Sequence, residues 1–99
     1  MKFTLTTPEE TAMTLARRSK TLRLAKKWKR STLAARSGVT DASIRRFEQT
    51  GQVSMKHFLK IVFALGRLDE MNALLETPKA ASIADLEKME AKLPQRGSI

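Results

Sequence analysis

One run constrains this chain more than any other: Arg30-Ser31-Thr32-Leu33-Ala34-Ala35-Arg36-Ser37-Gly38-Val39-Thr40-Asp41-Ala42-Ser43-Ile44-Arg45-Arg46-Phe47-Glu48-Gln49-Thr50-Gly51. It reads as two short helices joined by a tight turn. Leu33 and Ala34 supply the inward face of the first, and Ile44 and Phe47, three apart, supply that of the second. Gly38 falls where the first helix must stop, because glycine reaches the left-handed region without a Cβ penalty. Thr40 is a suitable N-cap for the second helix, and Asp41 in its first turn suits the positive end of the helix dipole. Gly51 closes it. Ala34 is small where the helices meet, Val39 is apolar in the turn and Ile44 is β-branched, so the three fill one wedge of core. Thr40, Asp41, Ala42, Ser43, Arg45 and Arg46 are left facing outward.

The charge of the chain is concentrated on the same region. Of the net charge of +9, residues 17–46 hold eleven Lys or Arg against one acid, Asp41, whereas residues 1–16 sum to −1 and residues 47–99 carry seven of each sign. A solvated basic face would account for a surplus of a few charges. A surplus of ten on thirty residues favours a phosphate-backbone partner. The alternative of a membrane-surface helix needs more large apolar residues than the first helix has on its inner face.

The rest of the chain reads as support. Ninety-nine residues make one small domain with a modest core, for which several short helices are a natural solution. Phe3 and Leu5 alternate with polar neighbours and predict a short extended segment, unpaired or paired with a second subunit. Thr7-Pro8-Glu9-Glu10 has the form of a capping box with proline at the first helical position. The first helix is expected to reach about Lys27, with Ala12, Leu15, Ala16, Ser19, Leu22 and Ala25 inward and Arg17, Arg18, Lys20, Lys26 and Lys27 outward. Trp28 is placed to pack on Leu33 as a hydrophobic staple, or to anchor a partner. Ser54 caps a fourth helix with Met55, Phe58, Leu59, Val62 and Phe63 on one stripe, widened by Ile61 and Leu65; both phenylalanines read as core. Gly66 ends it. A fifth helix is expected over about 68–75, with Leu68, Met71, Leu74 and Leu75 on one side. Thr77-Pro78-Lys79 breaks the pattern, and Ile83, Leu86, Met89 and Leu93 allow one further amphipathic helix, marginal in isolation.

A steeply crossed helix pair with its second member exposed is the helix-turn-helix arrangement. Through Leu33-Ala34, Ser37-Gly38-Val39, Ser43-Ile44 and Phe47-Glu48 the chain resembles the lambda-repressor-like (Cro-like, XRE) family, over roughly Thr7 to Glu76. The run Arg46-Phe47-Glu48-Gln49-Thr50-Gly51, followed by Val53-Ser54 and a helix ending Ala64-Leu65-Gly66, looks like the Hip-type antitoxins. The resemblance implies an all-α, compact five-helix lambda-repressor-like domain over residues 1–77, motif 30–51, with a C-terminal extension, 78–99, partly flexible or partner-binding.

It also implies roles for individual residues. The second motif helix would enter the major groove, with Thr40, Asp41, Ala42 and Arg46 as base readers. Arg46 leads, because a guanidinium can give two parallel hydrogen bonds to guanine. Asp41 accepts from cytosine, is paired by Arg45, or serves the helix dipole. Ser43 and Arg45 at the edges of the groove, Lys29 and Arg30 at the start of the first motif helix, and Gln52, Ser54 and Lys56 after Gly51 would contact phosphate. Arg30 stands where the family usually has glutamine, so the buttressing glutamine network is replaced, and the arginine is expected to contact phosphate alone. Arg23 and Glu48 hold the positions of a family ion pair; buried, it would be costly to break, and exposed, nearly without weight.

The expected function is a sequence-specific, dimeric DNA-binding repressor on a palindromic operator, the antitoxin of a toxin–antitoxin module that autoregulates its operon and binds a Hip-type kinase toxin. The alternative is a phage- or plasmid-type regulator with no toxin partner. Trp28, the fifth helix and residues 83–99 are the expected toxin contacts. Enzyme activity is not expected. His57 is the single histidine, read as packing or phosphate-adjacent, and no nucleophile constellation, carboxylate pair or glycine-rich phosphate loop accompanies it. No cofactor or metal is expected, since cysteine is absent. Neither a signal peptide nor an apolar run of about eighteen residues is present, so a cytoplasmic location is expected.

Overall fold

Local signals start and stop each helix. In a computed structural model, which describes residues 6–78, Thr7 caps α1 (Pro8–Ala25) by accepting from the Glu10 N–H at 3.1 Å. The helices α2 (Arg30–Ser37), α3 (Asp41–Thr50), α4 (Met55–Ala64) and α5 (Leu68–Asn72) follow, and no strand occurs among the described residues. Thr40 and Ser54 cap α3 and α4 in the same manner, accepting from the N–H of Ser43 and of His57. Gly38 and Gly51, both at φ +76°, end α2 and α3. The all-helical expectation holds for these residues; the expected N-terminal extended segment and the Ile83–Leu93 helix lie outside them.

Packing follows from the inward faces. α3 lies against α1 and α2, α2 also touches α4, and α5 docks on α4. The buried centre is Ala16, Leu33, Val39, Ile44, Phe47, Ile61 and Leu65, with Trp28, Ala34, Val53 and Phe58 half-buried against it. Phe47 and Phe58 meet edge to face, ring centroids 5.7 Å apart, a geometry that aligns ring edge with ring face. Ser19, on the inner face of α1, leaves its buried Oγ without a hydrogen-bond partner.

Several boundaries and faces differ from expectation. α1 stops at Ala25, not at Lys27: Lys26 is its C-cap, Lys27 turns to φ +61°, and Ala25 is exposed. On α4 the inward stripe is Phe58, Ile61, Val62 and Leu65, while Met55 is 71% and Phe63 68% exposed. Both stripes have helical spacing; the one selected meets the Phe47 and Leu33 side of the core. α5 ends at Asn72, short of Leu75, with Ala73 as its C-cap, and Leu75 beyond it takes φ +63°. Leu74 and Leu75 are exposed and do not join Leu68 and Met71. At the start of α5, Arg67 pairs with Glu70 at the surface. The hydrogen bond from Arg67 holds the Glu70 carboxyl below its ordinary range and raises the Arg67 guanidinium.

Candidate nucleic-acid interface

The outward side of α3 is built by what its inward side buries. Ile44, Phe47 and Glu48 face the core, which forces Thr40, Asp41, Ala42, Arg45 and Arg46 to the surface, with Ser43 half-buried. The Thr40 hydroxyl donates to Ser43 Oγ at 2.9 Å while accepting the Ser43 N–H. Ser43 keeps its own hydroxyl proton for an outside acceptor.

The helix is held from behind by an ion pair. Arg23 of α1 donates from Nε and Nη2 to the two carboxylate oxygens of Glu48 at 2.8 and 3.1 Å, with side-chain exposures of 7% and 3%. Its remaining arm, Nη1, donates to the Trp28 carbonyl at 2.8 Å. Of the two readings left open by sequence, the buried one is therefore the observed one. Gly51 adds a second fixing point: a Cβ there would lie 3.1 Å from the backbone of Ala12 and Met13, so α3 ends in direct backbone contact with α1.

Arg30 behaves differently from the expectation of a phosphate contact alone. Its Nε lies 3.8 Å from Asp41 Oδ1, both side chains partly exposed. Asp41 is thus paired by Arg30 and not by Arg45, because the turn through Gly38 brings the start of α2 beside the start of α3. Arg45 is exposed and makes no ion pair among the described residues. Lys29, the N-cap residue of α2, and Lys56, in the first turn of α4, are also exposed.

Beyond Gly51 the chain folds back on α3. Arg46 Nη2 donates to Gln52 Oε1, and the Thr50 hydroxyl accepts the Gln52 N–H at 3.1 Å. Ser43, Arg46, Gln52, Val53, Ser54 and His57 line one open recess of about 280 Å³. Four of the predicted contact residues therefore meet in one place: Ser43, Arg46, Gln52 and Ser54. His57, read from the sequence as packing or phosphate-adjacent, completes the wall. The Ser54 hydroxyl accepts the His57 N–H, so the capped N-terminus of α4 borders the recess through these two residues; the positive end of a helix dipole favours an anion.

Trp28 is half-buried against the core, as a staple would be. Its ring also carries two cations, Arg36 Cζ at 4.7 Å and Lys26 Nζ at 5.3 Å from the centroid, within the range of cation–π attraction. Neither contact was expected, since no spacing rule links 26, 28 and 36. Taken together, Arg17, Arg18, Lys20, Lys26, Lys27, Lys29, Arg36, Arg45 and Arg46 are exposed. Asp41 is the one exposed acid in the segment that bears them, since Glu48 is buried against Arg23.

The arrangement can bind an extended polyanion, with an outward helix face that offers donors at Ser43 and Arg46. Among the described residues no group of three or more His, Cys, Asp or Glu is placed to hold a metal ion, and no helix is long and apolar enough to cross a membrane. In comparisons with known proteins, no family model, curated protein or solved structure matches the chain.

Proposed function

We propose that the chain is a lambda-repressor-like helix-turn-helix protein, a sequence-specific transcriptional repressor in which α3 enters the major groove of duplex DNA. The observation that carries this reading is the combination of nine exposed cations on residues 17–46 with an outward helix clamped by the buried Arg23–Glu48 pair. The cations give affinity without sequence preference, and the helix supplies base contact. Arg46 is the principal reader. It leaves Gln52 to give two hydrogen bonds to a guanine, and Gln52 then turns to phosphate. Thr40 and Ala42 touch neighbouring base edges, Ala42 as a contact for a thymine methyl. Arg30 orients Asp41 at the mouth of the groove.

The protein acts as a homodimer on a palindromic operator, which spaces its two recognition helices by one DNA turn, roughly 34 Å. As in the Hip-type antitoxins it resembles, it represses its own operon and binds a kinase toxin. The exposed apolar side chains of Phe63, Leu74 and Leu75 favour a protein partner at the α4–α5 end. A phage- or plasmid-type repressor would use the same DNA face without that partner.

The test is a binding titration over salt with duplexes that vary one base pair at a time. Affinity is expected to fall steeply with added salt. Arg46→Ala should lose about 1–3 kcal/mol of discrimination at one base pair. A flat salt response, or equal loss at every position for Arg46→Ala, contradicts the reading.

A further inference from the structure

Among the described residues, Leu75 beyond α5 (φ +63°) apart, four helices are followed by a residue with a left-handed backbone, and three of these are glycines: Gly38, Gly51 and Gly66, at φ between +76° and +78°. The fourth is Lys27, after α1, at φ +61°. The comparison with Gly66 is close because the hydrogen bonding is the same. After α4, the Arg67 N–H reaches the Val62 carbonyl and the Gly66 N–H the Phe63 carbonyl, both at 3.0 Å. After α1, the Trp28 N–H reaches the Arg23 carbonyl at 3.1 Å and the Lys27 N–H the Leu24 carbonyl at 2.9 Å. Both ends are Schellman motifs, whose left-handed position is normally glycine because a Cβ is penalised there. At Lys27 the chain retains a lysine against that penalty.

The local fold does not use the side chain of Lys27. Lys27 is exposed, with no side-chain hydrogen bond or ion pair among the described residues. A cation at a helix C-terminus favours the dipole, but Arg23 and Lys26 already occupy that turn. Its neighbours are fixed: Lys26 lies over the Trp28 ring with Arg36 on the same ring, and the Trp28 carbonyl accepts from Arg23. Through Arg23 the turn is tied to Glu48 of α3. Lys29 and Arg30 follow at the start of α2, and Arg30 reaches Asp41 at the start of α3. The turn is thus a rigid cationic element, registered to the exposed helix from two sides, with one strained and unoccupied cation at its tip. Strain of this kind collects where a ligand is met.

We propose that the turn from Lys26 to Lys29 is a clamp for the phosphate backbone of duplex DNA, and that Lys27 makes its contact. This rests on the DNA-binding reading above. Lys27 carries no base specificity; it fixes the register in which α3 is presented.

The experiment compares the full-length wild type with Lys27→Arg, Lys27→Ala and Lys27→Gly. Binding is followed by anisotropy of labelled duplexes at about 50–200 mM salt. One duplex carries the sequence upstream of the gene, and the other is an unrelated sequence of equal length. Thermal melts run in parallel. Lys27→Arg is expected to bind as wild type. Lys27→Ala and Lys27→Gly are expected to lose about fivefold on both duplexes, and the slope of log affinity against log salt to fall by about 0.9. Lys27→Gly is expected to melt about 4–8 °C higher, separating the backbone penalty from the contact. Unchanged affinity and slope for Lys27→Ala overturn the clamp while leaving the DNA-binding reading intact, and so does a loss confined to the upstream duplex. If the wild type binds neither duplex, the reading fails and the clamp fails with it.

Discussion

Replacing Glu48 with alanine tests the framework on which α3 is mounted. In the folded protein Arg23 uses three donors: two to Glu48 and one to the Trp28 carbonyl. The substitution leaves Nε and Nη2 facing a void on a residue only 6% exposed, with a full charge retained. Removing one partner of a buried pair costs about 3–5 kcal/mol, against under about 1 kcal/mol for an exposed pair. A domain of this size has a total stability of roughly 4–11 kcal/mol at 0.05–0.15 kcal/mol per residue, so the change removes a large part of it. The assay is urea unfolding followed by fluorescence of Trp28, the single tryptophan, with melting as a second measure. The melting temperature should fall by roughly 12 °C or more. A paired replacement, Arg23→Met with Glu48→Leu, removes both charges and fills the space, and it should lie closer to wild type than either single change. A loss below about 1 kcal/mol for Glu48→Ala would refute the reasoning, because it would mean that the pair is hydrated in solution.

Two further comparisons probe the scaffold. Gly38→Ala and Gly51→Ala share the same positive φ, but a Cβ meets nothing within 4 Å at Gly38 and lies 3.1 Å from backbone atoms of α1 at Gly51. Gly38→Ala should cost about 1–2 kcal/mol from conformation alone, and Gly51→Ala clearly more; equal losses in denaturant melts would contradict the close approach of α1 and α3. On α4, Ile61→Ala should cost about 2–5 kcal/mol, because Ile61 is fully buried. Phe63→Ser should stay within about 0.5 kcal/mol, as expected for an exposed site, and a large loss there would mean that the face of α4 has been misplaced.

Much of the helical framework was legible because its signals are local. Thr7 with Glu10, Thr40 with Ser43, Ser54 with His57, and the glycines at 38 and 51 each act within a few residues. Ile44 and Phe47 were legible as core for the same reason, and the outward set on α3 followed by subtraction. What was not legible depended on contacts between elements. On α4, two apolar stripes satisfy the same spacing, and only the position of Phe47 and Leu33 chooses between them. The α1 terminus was placed too late because lysine gives no sign of a left-handed turn. Arg30 with Asp41, Arg46 with Gln52, and Trp28 with Arg36 all pair across turns, where helical periodicity has nothing to say. The resemblance to a known motif placed Arg23 opposite Glu48, whereas charge counting alone would have counted Arg23 among the surface cations.

The mounting of α3 is lopsided. Its C-terminal half is anchored by the Arg23 fork on Glu48 and by Gly51 pressed against α1, whereas its first turn is seated by the buried side chain of Ile44 and has one ion pair to another helix, Arg30 to Asp41 at 3.8 Å. The element is a cantilever, with its polar anchorage gathered at the root. Whatever lies against it must accept the tilt set by the root, and fine adjustment is confined to Thr40, Asp41 and Ala42, the three residues best able to shift without disturbing the core.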